Sequence, residues 1–238
     1  MACAPVQSLH AASARPNVAG MLTPLLLATA LNVLTAADGP DTARVASRLV
    51  DQRLELELNP AARTWSGSLL ATLELAGVGR RIELRLAGPI VSRVELTDAT
   101  GRVELTWGAV RDSFLVVEAG RDLAPGPASL NIAFDGGWRD PLRDAPKDTL
   151  GAVVRDVSQL RIRMHAGAGG VFPAWPSGTP ATRWTLMVHA PSGYDVSANA
   201  HRTGLDQVKD WRTWTFRTRA PVEADSLRVS VAPAKPKH

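Results

Sequence analysis

Five histidines, a run of aspartates and one glycine-rich stretch are the residues of this 238-residue chain whose types could support chemistry. The histidines are His10, His165, His189, His201 and His238, and no two stand four apart as a metal-binding helix would place them. Zinc asks for three or four convergent ligands, and this spacing assembles no such set. His189 alternates with Val188 and reads as an outward-facing strand residue. His201, with Asp195 and Asp206 near it in sequence, is the best candidate for a ligand or a general base. Its plainer reading is a histidine in a turn.

Asp135, Asp140, Asp144 and Asp148 recur through one segment. Calcium loops set oxygen ligands at alternate residues, a tighter spacing than this. Arg139, Arg143 and Lys147 interleave with the acids and would repel a cation, so a salt-bridged solvent loop is the better reading. Gly167-Ala168-Gly169-Gly170 lacks the Lys-Ser/Thr of a phosphate loop, and no helical pattern follows it. No serine sits in G-x-S-x-G, and Ser192-Gly193 belongs to a turn between two strands. The chain is therefore expected to carry no catalytic residue, no metal and no cofactor of its own.

The elements that must position these side chains are strands. Period-2 alternation dominates from residue 49 to 232, as in Leu54, Leu56 and Leu58 against Arg53, Glu55 and Glu57. Further strands are read around Leu69–Leu75, Ile82–Leu86, Ile90–Leu96, Val103–Trp107, Phe114–Val117, Leu130–Phe134 and Leu160–Met164. Trp184–Val188, Val196–Ala200, Trp211–Thr218 and Leu227–Val231 complete the series. Two stretches lack periodicity and read as loops, Gly136–Gly151 and His165–Thr182. The second holds Phe172 and Trp175 among glycines and prolines. These rings are expected either to form an exposed contact surface or to fold back onto the sheet as a plug. The fold class expected is all-β: a two-sheet sandwich or saddle of about a dozen short, mainly antiparallel strands.

The first 40 residues are different in kind. Val18–Ala37 carries no charge, Leu25-Leu26-Leu27 forms an apolar centre, and Thr35 and Ala37 are small residues ahead of Asp38-Gly39-Pro40. This pattern suits a secretory signal over residues 1–37, with the mature chain beginning at Asp38 and destined for the periplasm or the cell exterior. An uncleaved membrane anchor is the rival reading, and Met21 is an alternative start. Cys3, the only cysteine, would leave with the signal. Residues 38–232 then form one β-domain and 233–238 a flexible tail. The net charge of +4 loses only Arg15 on cleavage, and basic and acidic residues alternate almost everywhere. A mixed solvated surface of this kind does not suit nucleic acid.

The order of these strands and turns resembles the N-terminal β-domain of aminopeptidase N-like zinc peptidases (peptidase family M1). Arg53–Leu75, with its Asn59-Pro60 and Trp65-Ser66-Gly67, looks like that family's opening hairpin, and Ile82–Leu96 is similar to the stretch that follows. Leu123–Gly136 matches L-x-x-G-x-x-x-L-x-I-x-F-x-G, and Phe172-Pro173 matches the start of F-P-C-F-D-E-P. Trp184–Asn199 resembles the strand, the P-x-G-aromatic turn and the S-N pair beyond it. The resemblance implies a saddle of two β-sheets beside a separate thermolysin-like domain, which supplies G-x-M-E-N and H-E-x-x-H. Neither motif occurs in this chain, so no zinc ligand carries over. The family's amine-binding acid or amide corresponds to Met164, which cannot accept a hydrogen bond from an ammonium. D-E-P is replaced by Pro176-Ser177-Gly178.

Together these features lead to an expectation of an exported, non-catalytic binding or interaction module. Its partner would be a protein or peptide, with no stable membrane span after cleavage. The alternative is an accessory half of a split peptidase whose zinc domain is a separate chain.

Overall fold

The computed structural model describes residues 44–59, 62, 64–110, 114–137, 154–156, 161–163, 170–176 and 178–234. The expected signal (1–37, with Cys3 and His10) lies outside them, as do Asp140, Asp144, Asp148, Met164, His165, Gly167–Gly169, Ser177 and His238.

The described residues fold into fifteen strands. The first five are β1 (Ser47–Asn59), β2 (Thr64–Leu75), β3 (Arg81–Arg85), β4 (Ile90–Asp98) and β5 (Gly101–Val103). Then come β6 (Leu105–Val110), β7 (Phe114–Ala119), β8 (Gly126–Gly137), β9 (Val154–Asp156) and β10 (Arg161–Arg163). The last are β11 (Arg183–Pro191), β12 (Tyr194–Ala198), β13 (His201–Val208), β14 (Trp211–Arg217) and β15 (Val229–Pro233). The all-β reading holds. Hydrogen bonding divides the strands into one eight-stranded sheet, β13-β14-β11-β1-β2-β8-β4-β5, and two smaller ones, β12-β15-β10-β9 and β3-β7-β6. The pairings are antiparallel except for β1 with β11, which run parallel from Asp51↔Arg183 to Glu57↔His189.

Alternation decides which face is buried. Leu54, Leu69, Ile132 and Val94 lie side by side across β1, β2, β8 and β4, and each is 6% exposed or less. Ile82, Leu84, Leu115 and Val117 of the three-stranded sheet share one continuous core with them. Val196, Val229 and Val231 of the four-stranded sheet belong to it too. Trp184 is 1% exposed, which fits its expected role as an anchor, and its indole N–H donates to the Val222 carbonyl at 3.2 Å.

Two glycines of the matched motif have physical reasons. Gly126 takes φ +116°, a conformation that side-chain-bearing residues rarely adopt. Gly136 lies under the Trp65 ring, where a Cβ would collide with the indole carbons.

Two strand readings need correction. The expected strand Val103–Trp107 breaks at Glu104, where the chain leaves the eight-stranded sheet and enters the three-stranded one. His201 opens a strand and does not sit in a turn. The alternation rule missed β13 because seven of its eight residues are exposed on whichever face they lie, so no period-2 signal exists to read.

The turn after β4 is fixed electrostatically. Asp98, its side chain sealed from solvent, accepts from Arg121 Nη1 at 2.6 Å and Nη2 at 2.9 Å. It also accepts from the Ala124 N–H at 2.9 Å and from Thr100. The Arg121 guanidinium, helped by these N–H and O–H donors, holds the Asp98 carboxyl well below the usual carboxylate range against the opposing effect of burial.

Candidate functional site

The structure does not gather the expected site residues into one place. His201 is exposed on the edge strand β13, and its Nδ1 lies 3.4 Å from Arg219 Nη2. Asp206 stands opposite Thr213, while Asp195 stands opposite Ala232 and faces Arg212 at 3.8 Å. Among the described residues no group of three His, Cys, Asp or Glu side chains converges on a point.

Phe172 and Trp175 are 1% and 8% exposed, so the reading of them as an exposed contact surface is corrected. The physical reason is a set of backbone anchors. Ala174 exchanges hydrogen bonds with Arg85 at the edge of β3, and the Val171 carbonyl accepts from the Trp65 indole at 3.0 Å. Pinned at both places, the loop turns its rings inward, and Phe172 meets Trp184 edge-on with centroids 5.7 Å apart. The rings form the plug.

What does converge lies on the outer face of the eight-stranded sheet. Thr213 of β14, His189 of β11 and Glu57 of β1 are cross-strand neighbours, and the row continues through Ser66 of β2 to Asp135 of β8. His189 Nε2 is 3.0 Å from Glu55 Oε1, and Nδ1 is 2.8 Å from Thr213 Oγ1. A carboxylate only accepts, so Nε2 carries a proton toward Glu55, and the Thr213 hydroxyl, which can donate or accept, is the partner of Nδ1. Glu55 and His189, with Glu57, Ser66, Ser68, Ser92 and Asp135, line a basin of about 320 Å³ together with Gly67, Ala133 and Phe134. Alternation placed His189 outward. It gave no sign of the parallel β1–β11 pairing, which brings in Glu55 from 134 residues away.

Thr213–His189–Glu55 has the order hydroxyl, base, carboxylate of an acyl-transfer centre. Chemistry of that kind also requires unspent N–H donors aimed at a developing oxyanion. Thr213 sits on an interior strand paired on one side to His189 and on the other to Asp206, so its backbone neighbourhood is committed to ladders. What the arrangement offers is carboxylates and hydroxyls as hydrogen-bond acceptors in a shallow recess.

No protein-family model matches the sequence, and no curated protein does either. Solved structures do. A zinc metallopeptidase of family M1 from Deinococcus radiodurans is 24% identical with a TM-score of 0.60, matching 79% of this chain and 42% of its own. A variant of a two-domain M1 zinc metallopeptidase bound to L-tryptophan is 22% identical with a TM-score of 0.64, matching 79% of this chain and 43% of its own. This chain thus spans about two fifths of the length of the structures it matches. At such identities the likeness is one of fold, and the fold is that of the N-terminal β-domain of M1 zinc metallopeptidases.

Proposed function

We propose that this chain is an exported, non-catalytic binding domain on the M1 N-terminal scaffold, with the outer face of the eight-stranded sheet as its ligand-bearing surface. The observation that carries the reading is the basin rimmed by Glu55, Glu57, Asp135, Ser66, Ser68 and His189. Its rim is rich in acceptors and carries three carboxylates, which suits a basic, N–H-bearing peptide segment lying across the strands. Titrating the folded domain with lysine- or arginine-containing tripeptides should shift the amide resonances of Glu55, Ser66, Asp135 and His189. Acidic tripeptides should not shift them, and Glu57→Gln with Asp135→Asn should weaken the effect together. Saturable shifts confined to another surface would refute the assignment. Export rests on the uncharged Val18–Ala37 run and the small residues at 35 and 37. The exported protein should have an intact mass beginning at Asp38, and a full-length mass in the membrane fraction would establish an anchor instead.

A second reading draws on the partial coverage of the matched metallopeptidases. In it the domain is the accessory half of a split zinc aminopeptidase. Co-expression with a separately encoded H-E-x-x-H chain should then yield a stoichiometric complex with raised aminopeptidase activity, and two chains that purify apart would exclude it.

A further inference from the structure

The edges of the sheets are not equally protected. β5 and β9 are three residues long, too short to template another strand. β13 is longer, but a bulge interrupts it between Arg202 and Gly204, and it carries Arg202 and Asp206. β6 has none of these defences. Leu105-Thr106-Trp107-Gly108-Ala109-Val110 has no charge and no proline, and among the described residues it pairs only with β7 and ends its sheet.

The phase of the β6–β7 ladder shows what the free edge presents. The Glu104 carbonyl accepts from the Gly120 N–H at 2.9 Å, which makes these two a hydrogen-bonded pair. Antiparallel alternation then turns Thr106 and Gly108 toward β7 and leaves the N–H and C=O of Leu105, Trp107 and Ala109 facing outward. The side chains are open as well. Trp107 and Ala109 lie opposite Val117 and Leu115, both 1% exposed, so they are on the core side of the sheet. Yet Trp107 is 43% exposed and Ala109 is also exposed. Phe114 at the start of β7 adds a ring that is 39% exposed.

We infer that β6 is a self-association edge, paired antiparallel across a two-fold axis with β6 of a second copy of this chain. A two-fold axis sets a strand against itself, so any charge near its centre meets a like charge, and an uncharged strand avoids that penalty. An unlike partner would more naturally be selected by complementary charge, which this edge does not offer. Pairing centred on Trp107 matches the outward groups of Leu105 with those of Ala109. It sets the two Trp107 rings side by side and extends β3-β7-β6 into a continuous sheet through both copies.

Sedimentation of the full chain between about 1 µM and about 1 mM tests this directly. Wild type should show a reversible monomer–dimer equilibrium in that range. Ala109→Pro removes an outward N–H without touching the ladder to β7, and Trp107→Lys adds a charge at the centre. Each should leave the far-UV spectrum unchanged and weaken dimerisation at least tenfold, while Leu205→Lys on β13 should leave it intact. A wild type that stays monomeric throughout would overturn the inference. So would a dimer that survives both β6 variants, or one that Leu205→Lys abolishes.

Discussion

Phe172 and Trp175 lie in a Gly- and Pro-rich loop and are almost fully buried, whereas Trp107 and Phe114 lie on strands and are about two-fifths exposed. The usual association of strands with the interior and loops with the surface is reversed. Burial here follows what lies across from a side chain. The loop is pinned by Ala174 to β3 and by Val171 to Trp65, and its Phe172 ring faces Trp184. Trp107 points to the core side of its sheet and still stands exposed, because β6 is the outermost strand.

The strongest way to break this comparison is to delete one ring from each pair. Phe172→Ala should cost about 3–5 kcal/mol, with Trp184→Ala in the same range, since each empties a filled site. Trp107→Ala should change the stability of the monomer by about 0.5 kcal/mol or less. Chemical denaturation at concentrations below dimerisation checks all three. Similar losses for Phe172 and Trp107 would mean that the loop does not act as a plug.

An intermediate effect tests whether anchoring to the frame holds other loops too. Asp98→Asn removes the charge that secures Arg121 and the Ala124 N–H, and should cost about 2 kcal/mol at neutral pH. Because the folded carboxyl titrates below its unfolded value of about 3.9, its contribution is complete above that value and declines as pH falls beneath it. Wild-type and Asp98→Asn melting curves should therefore converge as pH drops below about 4. A gap that stays constant into acid would assign the loss to packing.

The smallest effect sharpens the account of the plug. Among the described residues, the Trp175 indole N–H and Gln52 Oε1 are buried with no hydrogen-bond partner. Removing an unmatched polar atom while keeping the bulk is close to neutral. Trp175→Phe should thus fall within about 1 kcal/mol of wild type by thermal melting, and Trp175→Ser should lose several times more. A large loss in the phenylalanine variant would point to a hydrogen bond that the N–H makes in solution.

Much of this architecture is legible in the sequence, for a definite reason. Residues covered on one face show a two-residue period, so β1, β2, β8 and β11 stand out. β13 is exposed on both faces and has no such signature. The 170–176 loop is buried through a few backbone bonds, and irregular backbone carries no period to betray that. The outer-face basin was half legible. Alternation turned His189 outward, but Glu55 becomes its neighbour through a parallel pairing that no local pattern encodes. The matched motif glycines, Gly126 and Gly136, were visible as letters, and their reasons emerged only in the positive φ and the Trp65 contact.

The β1–β11 ladder also orders events in time. β1, β2 and β8 sit side by side in the sheet, and a chain can begin assembling them once residue 137 is available. The far edge of β1, from Asp51 to Glu57, stays open until Arg183–His189 has arrived. Closing a loop of that length is entropically slow to nucleate, and topologies rich in distant pairings fold in milliseconds to seconds. The seam between the third and fourth strands of the largest sheet therefore closes late. Until it closes, a strand with one apolar face stands available to any other unfolded chain nearby.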